Sequence, residues 1–125
     1  VLLDTNIVIY ACQPGGEWLP EWTDAPETSI ASVTRIEALG FPGISRDEEQ
    51  AIRGFLGNTI CLALDDSVIE LAISLRKNRK MAALDAVIAA TALEYDLTLI
   101  TRNVDDFKNV ESLKLINPFE NRQVA

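Results

Sequence analysis

Apolar and polar positions along this chain alternate between two kinds of segment: short consecutive apolar runs, and longer stretches where apolar residues recur every three or four positions. Val1-Leu2-Leu3, Ser29 to Val33, Ile60 to Leu64, Leu97 to Thr101 and Leu113 to Ile116 are of the first kind and predict strands. Thr5 to Ala11, a segment through Arg35, Ile36, Glu37 and Leu39, Ser45 to about Leu56, Asp66 to Lys77 and Ala83 to Tyr95 predict helices. Ser45-Arg46-Asp47-Glu48 has the form of a capping box, and Val68, Leu71, Ala72 and Leu75 make one apolar stripe. Pro14 to Pro26, rich in Gly, Pro and Trp, reads as a loop or a short irregular helical pair. The alternation of strand with helix predicts the α/β class, with a central, mainly parallel sheet of about five strands flanked by helices.

Acids interrupt this pattern at four places. Asp4 ends the first apolar run and stands where ligands gather in open parallel sheets, outside the carboxyl end of a strand; it also suits the N-cap of the next helix. Glu37 shares a helix face with Val33, Thr34, Gly40 and Phe41, with Ile36 alongside, so its carboxylate falls in the stripe that should face the core. An ionised glutamate there needs a cation, hydrogen bonds or a raised pKa, with Arg35 and Arg53 as available ion-pair partners. Asp85 lies among Met81, Ala82, Ile88 and Ala89 and can also serve as a dipole-stabilised residue of a first helical turn. The strand from Leu97 delivers Thr101, Asn103 and the Asp105-Asp106 pair to the edge that Asp4 occupies, if the two strands are parallel neighbours. Carboxylates converging in this way repel one another unless a cation holds them, and oxygen donors of this kind suit Mg²⁺ or Mn²⁺.

Composition narrows the possibilities. The chain has 125 residues, enough for one domain, expected over residues 1–118 with a C-terminal tail over 119–125. Cys12 and Cys61 lack C-x-x-C spacing and no histidine is present, which favours reduced thiols over a zinc site and excludes a histidine acid-base pair. No apolar stretch reaches the roughly 18 residues of a membrane span, and no charged-then-apolar leader precedes the first strand, so a cytoplasmic protein is expected, its start at Val1 read as a trimmed terminus. A net charge of −8 disfavours indiscriminate binding to phosphate backbones. Arg76, Lys77, Arg79 and Lys80 form the one dense basic stretch, either a solvated helix end with cations set against the dipole or a phosphate contact. Trp18, Trp22 and Tyr10 can stack on single-stranded bases, though packing of the Pro-rich loop or a dimer contact is the simpler use.

Taken in order, Leu2 to Asn6 (Leu-Leu-Asp-Thr-Asn), Ser32 to Gly40 (Ser-Val-Thr-Arg-Ile-Glu-Ala-Leu-Gly), Leu84 to Ala90 (Leu-Asp-Ala-Val-Ile-Ala-Ala) and Leu99 to Phe107 (Leu-Ile-Thr-Arg-Asn-Val-Asp-Asp-Phe) resemble a PIN-domain ribonuclease of the VapC-like toxin type, over essentially Val1 to Pro118. The resemblance implies a PIN-like three-layer sandwich, cleavage of RNA dependent on one or two divalent ions, a homodimer and a small antitoxin partner. It matches Asp4, Glu37 and Asp85 to the three core acids, Asn6 to the residue steadying the first, and Thr101 to the hydroxyl near the last. Many relatives have aspartate where Asn103 stands, while others carry the acid at Asp106, so Asp106 is the expected fourth ligand, with Asn103 and Asp105 in support. On this reading Asp4, Glu37, Asp85 and Asp106 are both metal ligands and catalytic residues. The rivals are a degenerate PIN fold that binds RNA or protein without cutting, an aspartyl-nucleophile phosphatase and a phosphoacceptor receiver. Asn6 occupies the place of the phosphatase's second aspartate, and Leu2-Leu3-Asp4 lacks the receiver's acidic pair.

Overall fold

A computed structural model describes residues 1–23 and 27–120. Strand β1 (Leu2–Leu3) leads into helix α1 (Thr5–Ala11) and, past the four-residue helix α2 (Pro20–Thr23), to strand β2 (Ser29–Ala31). Helices α3 (Ser32–Leu39) and α4 (Arg46–Leu56) precede strand β3 (Ile60–Leu62). Helices α5 (Asp66–Lys77) and α6 (Ala83–Glu94) follow, then strand β4 (Leu99–Ile100), a 3₁₀ turn (Val104–Asp106) and strand β5 (Leu115–Ile116).

All five strands are parallel, in the order β3-β2-β1-β4-β5. Successive side chains on a strand point to opposite faces, and the two cores divide accordingly. Leu2, Leu99 and Ala31 face α5 and α6, against Val68, Ala72, Leu75, Ile88 and Phe107. Leu3, Ile30 and Ile100 face α1, α3 and α4, against Ile7, Val8, Ala38 and Ile52. The result is the expected three-layer α/β sandwich. Helix α6 is apolar nearly all round because both the sheet and α5 cover it, and its stretch from Ile88 to Ala92 is wholly buried.

The capping box at Ser45 is formed in both directions, with Ser45 Oγ accepting from the Glu48 amide and Glu48 Oε1 from the Ser45 amide, each at 3.1 Å. The strands are shorter than the apolar runs that predict them. The second ends at Ala31, and Val33 instead packs from the first turn of α3 into the core on the α5 and α6 side; burial overrides the strand preference of a β-branched residue. Ile36, expected beside the buried stripe, is 71% exposed, because the stripe of α3 runs through Val33, Thr34 and Ala38 and carries Ile36 outward. The tail read from residue 119 onward is described only to Glu120, and residues 121–125 lie outside the described residues.

Candidate active site

The strand order places the site. Connections from β1 run to one side, through β2 to β3, while β4 and β5 lie on the other, so the chain changes direction between β1 and β4. A crevice opens outside the carboxyl ends of strands at such a switch point. The register pairs Leu3 with Ile100, which sets Asp4 and Thr101 side by side immediately beyond the two strand ends.

Asp4 is buried and fully engaged. Its Oδ1 accepts from the Thr5 amide at 2.8 Å, capping α1, and its Oδ2 accepts from Thr101 Oγ1 at 2.7 Å and from Asn6 Nδ2 at 3.3 Å. The cap and the site are therefore served by different oxygens of one carboxylate. Thr101 Oγ1 in turn accepts from the Asn103 amide at 3.0 Å, so Asn103 supports the site through its backbone. The Asn6 Oδ1 atom is buried and lacks a hydrogen-bond partner among the described residues.

Glu37 reaches the same crevice from α3. It is half-buried, and its Oε1 accepts from Thr5 Oγ1 at 2.8 Å. Thr5 Oγ1 also lies 3.3 Å from Thr34 Oγ1. Neither arginine considered as an ion-pair partner fills that role: among the described residues Glu37 has no salt bridge, and Arg53 pairs with Glu49 at 2.9 Å. Asp85 stands half-buried in the first turn of α6, whose N-cap Ala82 supplies no side-chain bond. Asp106 ends the exposed 3₁₀ turn.

The electrostatics tie these four together. Burial pushes the Asp85 carboxyl up to about 6, aided by the negative charges of Asp4, Asp106 and Glu37. Burial likewise raises Asp4 above the usual carboxylate range, against the lowering effect of its bonds from Thr101 and Thr5, while Glu37 and Asp106 add repulsion. Asp105 does not join them; it is exposed and lies 3.5 Å from Lys108. No Lys or Arg forms a salt bridge with Asp4, Glu37, Asp85 or Asp106 among the described residues. Nor do any three acids among the described residues close into a ready-made ligand set. The chemistry of the donors nonetheless fits a hard divalent ion: oxygen atoms only, net negative, mutually repelling and without a salt bridge among the described residues.

The basic stretch divides. Arg76 Nε donates to the Met81 carbonyl at 3.0 Å and Arg79 Nη1 to the Leu75 carbonyl at 3.1 Å, satisfying carbonyls at and beyond the end of α5. Lys77 and Lys80 are without salt bridges among the described residues, and Lys77 is exposed. The tryptophans pack: Trp22 lies against the core on the α1 side, and the Trp18 ring meets Tyr10 and Phe119 edge-on at 6.2 and 5.0 Å. Two features escape a sequence reading. Thr5, which holds Glu37, sits beside Asp4 in the same first-strand motif, and its place there was the available signal. Arg102, whose guanidinium lies 4.3 Å from the Phe119 ring centroid, gave none.

An α/β sandwich with acids gathered at its switch point defines a class, and likeness to known proteins supplies the family. The family model described as PIN domain matches residues 1–113, and the chain belongs to that family. It is similar to a toxin–antitoxin complex from Klebsiella pneumoniae (29% identity, 94% of this chain and 97% of that one, TM-score 0.77). It is also similar to FitAcB from Neisseria gonorrhoeae (25% identity, 94% and 97%, TM-score 0.74). VapBC2 from Rickettsia felis, bound to a promoter DNA fragment, shares the fold at 23% identity (93% and 96%, TM-score 0.77). The resemblance to VapC-like PIN toxins read from the motifs is thereby borne out. No curated protein matches the chain in sequence. Among the described residues no helix is long and apolar enough to cross a membrane.

Proposed function

We propose that this PIN domain is a cytoplasmic endoribonuclease dependent on Mg²⁺ or Mn²⁺, and the toxin of a toxin–antitoxin pair. The observation that carries the reading is the meeting of Asp4, Glu37, Asp85 and Asp106, from four separate segments, at one sheet edge with no salt bridge to any of them among the described residues. Asp4 and Asp85 would hold one ion, with Glu37 directly or through water, and Asp106 would help to hold a second. When bound, such ions make a water nucleophilic near neutral pH and neutralise charge on the leaving oxygen. The chain's own residues do the positioning. Thr101 and Asn6 fix the Asp4 carboxylate, and Thr5 turns Glu37 toward it.

The toxin role and the antitoxin partner draw on the toxin–antitoxin complex from Klebsiella pneumoniae among the similar structures. A homodimer belongs to the same reading. Ile36 and Leu84, exposed and adjacent in sequence to Glu37 and Asp85, are the apolar side chains that such a contact would cover. One observation favours a non-cutting RNA-binding or protein-binding module instead: no three acids among the described residues form a closed ligand set.

Incubation of purified protein with RNA separates the two readings. The nuclease should cleave in Mg²⁺ or Mn²⁺ and stop in excess chelator. Asp4→Ala, Glu37→Ala and Asp85→Ala should each abolish cleavage while the circular dichroism stays that of the folded protein. Cleavage surviving in all three variants, or in chelator, overturns the assignment.

A further inference from the structure

We propose that the pocket between the 3₁₀ turn and the segment carrying Asn117 and Glu120 is a nucleobase subsite, where a base next to the scissile phosphate stacks on the Arg102 guanidinium; this rests on the RNA-cleavage reading above. The pocket has a volume of about 230 Å³ and is lined by Arg102, Asn103, Val104, Asp105, Asp106, Asn117 and Glu120. Asp106 lines this pocket and its charge also acts on Asp4 and Asp85, so the pocket lies beside the acidic site.

Arg102 is held as a platform. Phe119 is fixed edge-on against Tyr10 at 4.8 Å and Trp18 at 5.0 Å, and the guanidinium carbon lies 4.3 Å from its ring centroid. Three carboxylates share the pocket, yet Arg102 forms no salt bridge among the described residues. The guanidinium carbon sits over the Phe119 ring while the side chain is exposed, which leaves the planar cation open to stacking by a base. Single-stranded RNA bases are bound by arginine planes in this manner.

The lining decides which part of a nucleotide fits. Apart from Asp106, assigned above to an ion, Arg102 stands against Glu120 and against Asp105, which Lys108 offsets at 3.5 Å, so the pocket carries no excess positive charge to hold a phosphate and suits a neutral base. Asn117 is spent on the local fold, its Oδ1 accepting from the Phe119 amide at 2.9 Å and its Nδ2 donating to the Arg102 carbonyl at 3.4 Å. The Asn103 side chain makes no hydrogen bond among the described residues and offers both a donor and an acceptor to a base edge. The order of the chain sets the spacing: Thr101 binds Asp4, Arg102 carries the platform, and Asn103 lines the pocket. Stacking strengthens with ring area, so a purine is the base favoured.

Digestion of a pool of random-sequence RNA oligonucleotides in Mn²⁺, with sequencing of the new ends, tests the subsite. Wild-type protein should favour purines at one position beside the cut by about five-fold, a modest preference of the kind stacking gives. Arg102→Ala should flatten that preference to within about two-fold, and Arg102→Lys should do the same, because lysine keeps the charge and lacks the plane. An unchanged preference in Arg102→Ala, or its full rescue in Arg102→Lys, overturns the subsite while leaving the nuclease reading standing. A pool left intact by the wild-type protein overturns both.

Discussion

Thr101 Oγ1 donates a 2.7 Å hydrogen bond to Asp4 Oδ2, joining the ends of two neighbouring parallel strands across 97 positions of sequence. Both groups are buried, and the same hydroxyl accepts from the Asn103 amide. One side chain therefore orients the carboxylate at the switch point and fixes the turn that leads to Asp106.

Thr101→Val keeps the shape and removes the hydroxyl. The loss of a bond to a buried carboxylate should lower stability by about 2 kcal/mol, read by urea denaturation near neutral pH. Thr101→Ser should restore most of it. Equal stability of the valine variant and wild type would show that the bond contributes nothing to the fold.

Thr5 holds Glu37 by a 2.8 Å bond without being one of the acids. Thr5→Val should weaken Mn²⁺ binding by roughly 10- to 100-fold, the usual effect of freeing a ligand from its support. Isothermal titration calorimetry measures this, and an unaltered affinity would separate Glu37's orientation from ion binding.

Acid repulsion predicts a pH dependence of the metal-free protein. The Asp85 carboxyl titrates at about 6 when folded, above its ordinary 3.8, and Asp4 is shifted in the same direction. A group whose folded pKa is raised binds its proton more tightly in the folded state. Its contribution therefore falls as pH rises between those two values and is level above them. Asp85→Asn should melt higher than wild type at about pH 7, by about 1 kcal/mol once solvent screening of the half-exposed group is allowed for, and should gain little at about pH 4. Adding Mg²⁺ should raise the melting temperature of wild type more than that of the variant. The same difference at both pH values, with and without Mg²⁺, would count against clustered acids.

Much of this was readable in advance, and the exceptions have physical causes. Three apolar residues before Asp4 and the apolar run before Thr101 announced two buried strands, and the strand-helix alternation implied that they were parallel. Their adjacency, which creates the Asp4–Thr101 bond, depends on strand order, and a crossover is not encoded in any local pattern. Glu37 was conspicuous because a charge interrupts an apolar stripe. Thr5 was not, since a threonine in a first helical turn is unremarkable until its partner is known. Arg102 and Phe119 are well separated in the chain and meet only through the fold, at a chain end that composition marked as a tail.

The basic stretch separates into two roles. Arg76→Ala removes the bond to the Met81 carbonyl and should cost about 1 kcal/mol of stability. Lys77→Ala with Lys80→Ala should change stability by no more than about 0.5 kcal/mol. If those lysines meet phosphates, the pair should also weaken RNA binding and lower the salt slope of log affinity by about 1 to 2. Fluorescence anisotropy across a salt series reads both, and an unchanged slope would make the lysines solvated surface only.

Asp4, Glu37, Asp85 and Asp106 together form the site proposed for a divalent ion. Crystals grown with Mn²⁺ and measured for anomalous scattering test it most directly. A peak is expected beyond the ends of β1 and β4, about 2.1 Å from carboxylate oxygens of Asp4 and Asp85. A map at full Mn²⁺ occupancy elsewhere, with no peak between those side chains, would contradict it.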